Sequence, residues 1–584
     1  MQLAQLPCTR PRPRPAGARW ASAVGLGLVL LGAGCGPLAP GGKSARLHYV
    51  ITVDADAGAG AIVEVTATGA VPRGFRMLLP PQGRRRQLQP LLAQPAPGAA
   101  AGDAVSAAAT VVRYRVAAPD QPHSGAGFAC YRGFELLAQP AGMQPSKLDS
   151  ITLEFRLPDG ETVVAPLALL VNDPDAPARG PMAITHDEFD TLLESYVALG
   201  DYRVRVVPPV LGRLPPIIWG RRSLGATSEN ELLDLVSRLL SAHVDALGPD
   251  RLEIPLSVVV DYPYVGHGFA GNATGRSIDL RLSRDLGATE SPGLVRLVSH
   301  ELAHFWLGGA FRFPRVEDHW FVEGAADYYG LRGRVATGLT SAEQAGDELA
   351  DKWYELAGNR WLHEPMEDLG RHYANDPEAF TASYARGCVT AWALDWRAHA
   401  LERPSLAAAL MVDARDQEHL PMRQLLAVHL RGPAWKPGTL GEDPGSIVGQ
   451  LLGPEPEIAV TGALGDAGLA YRAVPTQGLT FGLERFEPGT TRLLSVPAGT
   501  PARSAGVKPG DAIREVDGVP VDDTVDLEHA IERSYARPAY KLEGMEFTYE
   551  RAGTFDRVRL FAAPEVRPMW VDANGERALK IFPE

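Results

Sequence analysis

The chain has 584 residues, 45% hydrophobic and 22% charged, a globular composition too long for one ordinary core, so about three or four domains are expected. Acidic residues outnumber basic ones 70 to 57, and the net charge of −13 argues against nucleic acid as a main partner. The four cysteines, Cys8, Cys35, Cys130 and Cys388, are too scattered for a CxxC cluster and too few for a disulfide scaffold. Cys130 and Cys388 fit either a disulfide formed in an oxidising compartment or two buried free thiols.

Residues 1–35 read as an export signal. Arg10, Arg12, Arg14 and Arg19 precede an apolar stretch over 21–31 that is too short to cross a bilayer as a permanent helix. It ends Leu31-Gly32-Ala33-Gly34-Cys35, and small residues before a cysteine resemble the lipobox of bacterial lipoproteins. That resemblance implies a lipid anchor on Cys35, although Gly32 stands where such boxes carry an aliphatic residue. The other reading is an ordinary signal peptide cut near Ala33, and both place the mature chain in the periplasm or cell envelope. No later run approaches 18 apolar residues.

A short Gly/Pro tether follows, and 46–180 has the pattern of an all-β domain. Tyr49-Val50-Ile51-Thr52-Val53, Ala61-Ile62-Val63-Glu64-Val65-Thr66 and Ile151-Thr152-Leu153-Glu154-Phe155 alternate or run β-branched between turn residues, so a β-sandwich is expected. The Ala/Gly/Pro stretch 94–109 and the triplet Arg84-Arg85-Arg86 are expected in solvated loops.

Residues 181–430 mix strands and helices. Ser228 with Glu231 three residues later is a capping box, and Leu232, Leu235, Val236, Leu239 and Leu240 continue it as an apolar stripe. Residues 254–261 predict a strand buried on both faces, 266–275 a glycine-rich turn, and Ser277-Ile278-Asp279-Leu280-Arg281-Leu282 an alternating strand. Ser291 and Pro292 supply the start of a helix, and helices are expected onward to about 430. Residues 431–465 are Pro/Gly-rich and read as a linker.

The segment 466–565 has its own organisation. Thr480-Phe481-Gly482-Leu483 is followed by Gly499-Thr500-Pro501-Ala502, then Val507-Lys508-Pro509-Gly510-Asp511, then Val516-Asp517-Gly518 and an amphipathic helix over 525–534. This succession resembles a PDZ domain of the bacterial periplasmic kind. The resemblance implies that backbone N–H groups around Phe481 and Gly482 capture a peptide C-terminus, with the peptide added as an edge strand. The bland reading is a module that only packs against its neighbour.

Chemistry concentrates in His300-Glu301-Leu302-Ala303-His304. On a helix, positions i and i+4 share a face, so the two imidazoles can meet one metal ion, with Glu301 beside it as a general base. A catalytic zinc site needs a third protein ligand. Position 310 is alanine, which excludes a third histidine at that spacing, whereas Glu323, in Trp320-Phe321-Val322-Glu323-Gly324, lies on the next predicted helix.

This combination resembles the gluzincin peptidases, above all the aminopeptidase N family and the glycyl aminopeptidase family. The second joins an N-terminal β-domain and a thermolysin-like catalytic domain to a C-terminal PDZ domain. The resemblance implies a multidomain α+β chain and one zinc ion held by His300, His304 and Glu323. It also implies an oxyanion-stabilising tyrosine at Tyr384, in Tyr384-Ala385-Arg386-Gly387, with Asp327 and Tyr328 supporting the ligands. The strand bearing Ser277, Ile278 and Asp279 is expected to align the substrate backbone. Aminopeptidases of this kind hold the substrate's free amine with a glutamate just before the edge strand. No carboxylate stands in 266–275, which leaves Glu317 or Asp318 as substitutes and endopeptidase action open. An exported zinc peptidase is thus the leading expectation, and an envelope peptide-binding lipoprotein with a non-catalytic metal the alternative.

Overall fold

The computed structural model describes residues 45–54, 60–69, 76–78, 89–92, 105–106, 111–119, 124–125, 128–141, 148–167, 181–208, 214–222, 226–248, 254–262, 269–282, 291–308, 316–356, 359–400, 402, 405–406, 422, 426, 447–483, 485–486, 490–496, 499–535, 544–572 and 582. The export signal with Cys8 and Cys35, the Arg84-Arg85-Arg86 triplet, most of 94–109 and residues 266–268 lie outside them.

The first part is built from sheets. Ala45–Asp54 pairs antiparallel with Gly60–Gly69, placing Tyr49 opposite Val65, and parallel with Leu148–Arg156, placing it opposite Leu153. These strands sit in a six-stranded sheet, and a four-stranded sheet contains Phe128–Arg132 and Tyr196–Gly200. Along Gly60–Gly69 the alternation is the one read from sequence: Ala61, Val63, Val65 and Ala67 are buried, with half-buried residues between. Tyr49, Val63, Leu153, Cys130, Tyr131 and Leu199 belong to one apolar cluster shared by both sheets. Tyr114 closes it by donating to Leu136 O (3.0 Å) and accepting from Ala138 N (2.7 Å), so its phenol is buried without an unpaired dipole.

The expected boundary at 180 is too early. Met182–Ile184 pairs with Leu148–Arg156, and Tyr196–Gly200 with Phe128–Arg132, so the first set of sheets extends to Gly200. The helix between them, His186–Glu194, is capped by Thr185 and Glu188 reciprocally.

A five-stranded sheet follows. Its strands are β1 (Arg203–Val207), β2 (Ile217–Arg221), β3 (Leu256–Asp261), β4 (Phe269–Thr274) and β5 (Ser277–Leu282). The order is β1-β2-β3-β5-β4, with β2, β3 and β5 parallel and β1 and β4 antiparallel at the two edges. One face, with Trp219, Val258, Ile278 and Leu280, packs under the helices; Ile218 and Val259 on the other join the core of the first part. Burial on both faces is why 254–261 reads as a continuous apolar run.

Two expectations change here. β5 is an inner strand, paired to β3 and β4, so Ser277, Ile278 and Asp279 offer no free edge to a substrate. Ile278 points beneath the helices, whereas Ser277 Oγ meets Ser257 Oγ at 2.6 Å and Asp279 is fully buried. The edge is β4, within the stretch read as a glycine-rich turn.

The helices are α1 (Ala226–Leu247), α2 (Pro292–Ala303), α3 (His319–Ala336), α4 (Ala342–Leu356), α5 (Met366–His372) and α6 (Pro377–Ala400). Two more, α7 (Ile447–Leu452) and α8 (Pro456–Asp466), occupy the second half of the supposed linker. Val448, Leu451, Val460 and Ala463 belong to the same core as α2 and α3, so 447–465 is part of that domain. Pro456 starts a helix here; at a first turn its missing N–H costs nothing.

Beyond α8 a ribbon of Ala470–Thr480 and Ala563–Val571 leads into and out of a small module with its own apolar cluster, which includes Phe481, Ile513, Leu527 and Phe547. The ribbon belongs to the helical part: Trp570 is buried with its ring 4.4 Å from that of Trp392 on α6. The module meets the start of α6, where Thr381 donates to Leu494 O (3.0 Å) and Arg503 faces Glu378 (3.4 Å). Cys130 and Cys388 are both free and buried, in different cores. No described helix is long and apolar enough to cross a membrane.

Candidate metal centre

Helix α2 starts at Pro292 and ends with His304 as its C-cap, so His300 and His304 sit one turn apart on its final turns. Their rings meet edge to face at 4.7 Å, with the two Nε2 atoms 3.1 Å apart. Glu323 on α3 completes the set: Oε2 lies 3.4 Å from His300 Nε2 and 3.6 Å from His304 Nε2. For ligand bonds of about 2.0–2.1 Å, a tetrahedral zinc spaces its ligand atoms about 3.3 Å apart, so the triangle has the right size.

The outer hydrogen bonds say which ring atoms are available. His300 Nδ1 lies 2.8 Å from Asp327 Oδ1, and His304 Nδ1 lies 3.0 Å from Leu307 O. Both partners only accept, so each Nδ1 carries the proton and donates it. In the neutral rings both Nε2 lone pairs then converge on a carboxylate, an arrangement that repels itself unless a cation stands between them. The metal-free chain shows the same demand. Burial opposes protonation of His300, yet Asp327 and Glu323 outweigh it and push its pKa up to about 10. Burial likewise opposes ionisation of Glu323, and His304 and His300 outweigh it, holding the carboxyl well below its ordinary value. The donor set fits a zinc ion.

Asp327 is one turn beyond Glu323 on α3 and is held by Lys352 of α4, a lysine only 1% exposed, with Arg296 at 3.8 Å. Tyr328, expected beside it, does something else. One residue further on, it points about 100° around the helix and donates to Asp395 Oδ2 (2.6 Å), tying α3 to α6. His319 Nε2 is 3.5 Å from Glu323 Oε1, so it braces the outer oxygen of that carboxylate.

Glu301 faces β4. A Cβ at Gly271 would lie 3.1 Å from Glu301 Cγ, and the backbone of Ala273 hydrogen-bonds the Glu301 carboxylate. Burial raises its pKa above the ordinary glutamate value, against the pull of His300 and His304. A buried carboxylate with raised basicity is what a general base requires. The Ala273 contact also fixes the direction of β4: the peptide groups on that side face the site, not β5.

Tyr384 on α6 completes the group, its ring stacked 5.7 Å from that of His300. The approach of α6 to α3 depends on two glycines. A Cβ at Gly387 would lie 2.4 Å from Trp320 O, and one at Gly324 would lie 2.3 Å from Gly387 Cα. With neither present, the backbones touch and bring Tyr384 beside Glu323 and the His300 ring. Burial pushes the phenol well up, so it remains a donor.

Other sequence-derived residues fall elsewhere. Asp318 is buried and accepts from Met422 N (3.3 Å), and Glu317 faces Arg371 (3.5 Å). In the C-terminal module Phe481 is buried in the core, its carbonyl accepts from Ala502 N (2.9 Å), and Gly482 N–H is donated to Thr480 Oγ1 (2.8 Å). Lys352 and Tyr373 carry no motif that marks them in the sequence. Lys352 left one signal, its spacing with Ala345, Leu349 and Leu356 on the apolar stripe of α4, where a lysine has no business unless it is paired.

No family model and no curated relative matches the chain. Among solved structures, an aminopeptidase N family protein from Idiomarina loihiensis is similar over 92% of this chain and 99% of its own, with a TM-score of 0.62 and 14% identity. An M1 zinc metallopeptidase from Deinococcus radiodurans is more distant, with a TM-score of 0.42 and 17% identity over 73% of this chain and 96% of its own. At such identity the likeness is one of fold, and the chain has the multidomain α+β fold of an aminopeptidase N family protein.

Proposed function

We propose that the chain is a zinc-dependent peptidase of the gluzincin kind, exported and anchored or released at the cell envelope. The observation that carries it is the convergence of His300, His304 and Glu323 beside Glu301 and an open sheet edge. Zinc, when bound there, supplies a Lewis acid that makes water nucleophilic near neutral pH and polarises a carbonyl. The chain's own residues do the rest. A substrate strand lies along β4. Glu301 takes the proton from the attacking water as its oxygen bonds to the scissile carbon, and delivers it to the nitrogen as the C–N bond breaks. Tyr384 donates to the oxyanion. Glu301→Gln should abolish hydrolysis and leave zinc content unchanged; retained activity would refute the mechanism.

The fold favours aminopeptidase action. One observation favours cleavage within the chain instead: β4 and the turn after it carry no carboxylate, and Glu317 and Asp318 have other partners. Chelator-sensitive hydrolysis of free-amine but not N-blocked peptides supports the first, and cleavage of blocked peptides the second. We read the C-terminal module as a PDZ domain on the strength of its glycine corners, Gly482 (φ +81°), Gly510 (φ +88°) and Gly518 (φ +77°).

A further inference from the structure

We propose that Tyr373 is a positioning residue for Tyr384: its hydroxyl donates to the Tyr384 oxygen and so turns the Tyr384 proton toward the developing oxyanion. The inference rests on the peptidase reading above. Tyr373 closes the C-terminal end of α5, eleven residues before Tyr384 and on a different element, and no motif marks it. The two hydroxyl oxygens lie 3.3 Å apart. A phenol has one proton and a carboxylate only accepts. In the proposed mechanism Tyr384 gives its one proton to the oxyanion, so at that point the hydrogen bond between the phenols can only be donated by Tyr373. Accepting that bond fixes the Tyr384 oxygen in place and makes its own O–H a better donor. When a substrate oxyanion forms, Tyr384 gives it that proton without losing the partner that orients it.

The surroundings hold Tyr373 for this task. His319 packs edge to face against its ring at 4.6 Å, and Phe380 lies 5.1 Å from Tyr373 and 5.0 Å from Tyr384. Three elements, the start of α3, the end of α5 and the first turns of α6, thus converge on the pair. Tyr373, Phe380 and Tyr384 stay partly exposed.

The test is Tyr373→Phe, which keeps the ring packing. Expected are a kcat lower by about tenfold, the rate equivalent of one neutral hydrogen bond, a KM within about twofold and full zinc content. In a Tyr384→Phe background the same change should cost nothing further. A phosphinic peptide, which mimics the oxyanion, should bind Tyr373→Phe about tenfold more weakly, while a substrate peptide bound to Glu301→Gln is unaffected by adding the change. An unchanged kcat, or an equal loss with and without Tyr384, overturns the inference while wild-type hydrolysis keeps the peptidase reading intact. Absence of chelator-sensitive hydrolysis in the wild type overturns both.

Discussion

Gly387→Ala tests whether the crossing of α3 and α6 sets the geometry of the site. The new Cβ would stand 2.4 Å from Trp320 O and 2.9 Å from Gly324 Cα. Ordinary contact for such atoms is about 3.5 Å, so the helices must part by roughly 1 Å. Overpacking on this scale costs about 1–3 kcal/mol, survivable against a stability of about 5–15 kcal/mol. The functional effect should be larger in proportion. Glu323 is on α3 and Tyr384 on α6, and misplacing a catalytic group by about 1 Å can cost about a hundredfold in rate. Zinc should still bind, because His300, His304 and Glu323 depend on α2 and α3. The assay is kcat with zinc content and Tm measured on the same preparation. The expected result is kcat lower by ten- to a hundredfold, stoichiometric zinc and a Tm lower by a few degrees. Gly324→Ala acts on the same gap, so the double variant should lose less than the sum of the singles. Full activity in Gly387→Ala would refute the reasoning.

Lys352→Met should weaken zinc binding about 10- to 100-fold, measured by chelator competition, because Asp327 loses its closest cation and holds His300 less firmly; Lys352→Arg should restore part of it. His243 is buried against Ser299 O (3.0 Å), and burial lowers its pKa from 6.5 to about 4. The unfolded chain therefore binds this proton first as pH falls, and stability present above pH 6.5 drains away toward pH 4, by about 3 kcal/mol at most. Denaturant titrations at pH 7 and 4.5 should show that loss in the wild type and less of it in His243→Gln. Trp570→Ala should cost about 3–5 kcal/mol, since it empties a buried site against Trp392; a loss under about 1 kcal/mol would mean the ribbon is not part of the core.

The candidate metal ligands are legible because their geometry is local or nearly so. The i, i+4 spacing of His300 and His304 needs only a helix, which Pro292 announces. Glu323 needs only the next one. What the sequence concealed depends on pairing. Phe269-Ala270-Gly271-Asn272-Ala273-Thr274 has almost no β-branched residue, yet it is a strand, because β5 supplies its hydrogen bonds and Gly271 must pass close to Glu301. Ser277–Leu282 has the better strand pattern and for that reason reads as the edge, although it is an inner strand. Residues 447–465 were hidden by prolines and glycines that punctuate two helices instead of spacing a linker. Tyr373 has no periodicity to betray it; only the folded chain brings it to Tyr384.

Arg386 bears on how Tyr384 is aimed. Its guanidinium donates to the carbonyls of Trp361 (2.9 Å), Glu364, Leu451 (3.2 Å) and Gly453, a fork that a lysine could not reproduce. Two residues apart on a helix is about 200° of rotation, so Arg386 looks away from the His300–His304–Glu323 group while Tyr384 looks toward it. The rotational setting of α6 is thus clamped from behind by the segments around Trp361–Glu364 and Leu451–Gly453. The azimuth of Tyr384, and of the Phe380 ring packed on it one turn earlier, is set by carbonyls on the opposite side of the helix.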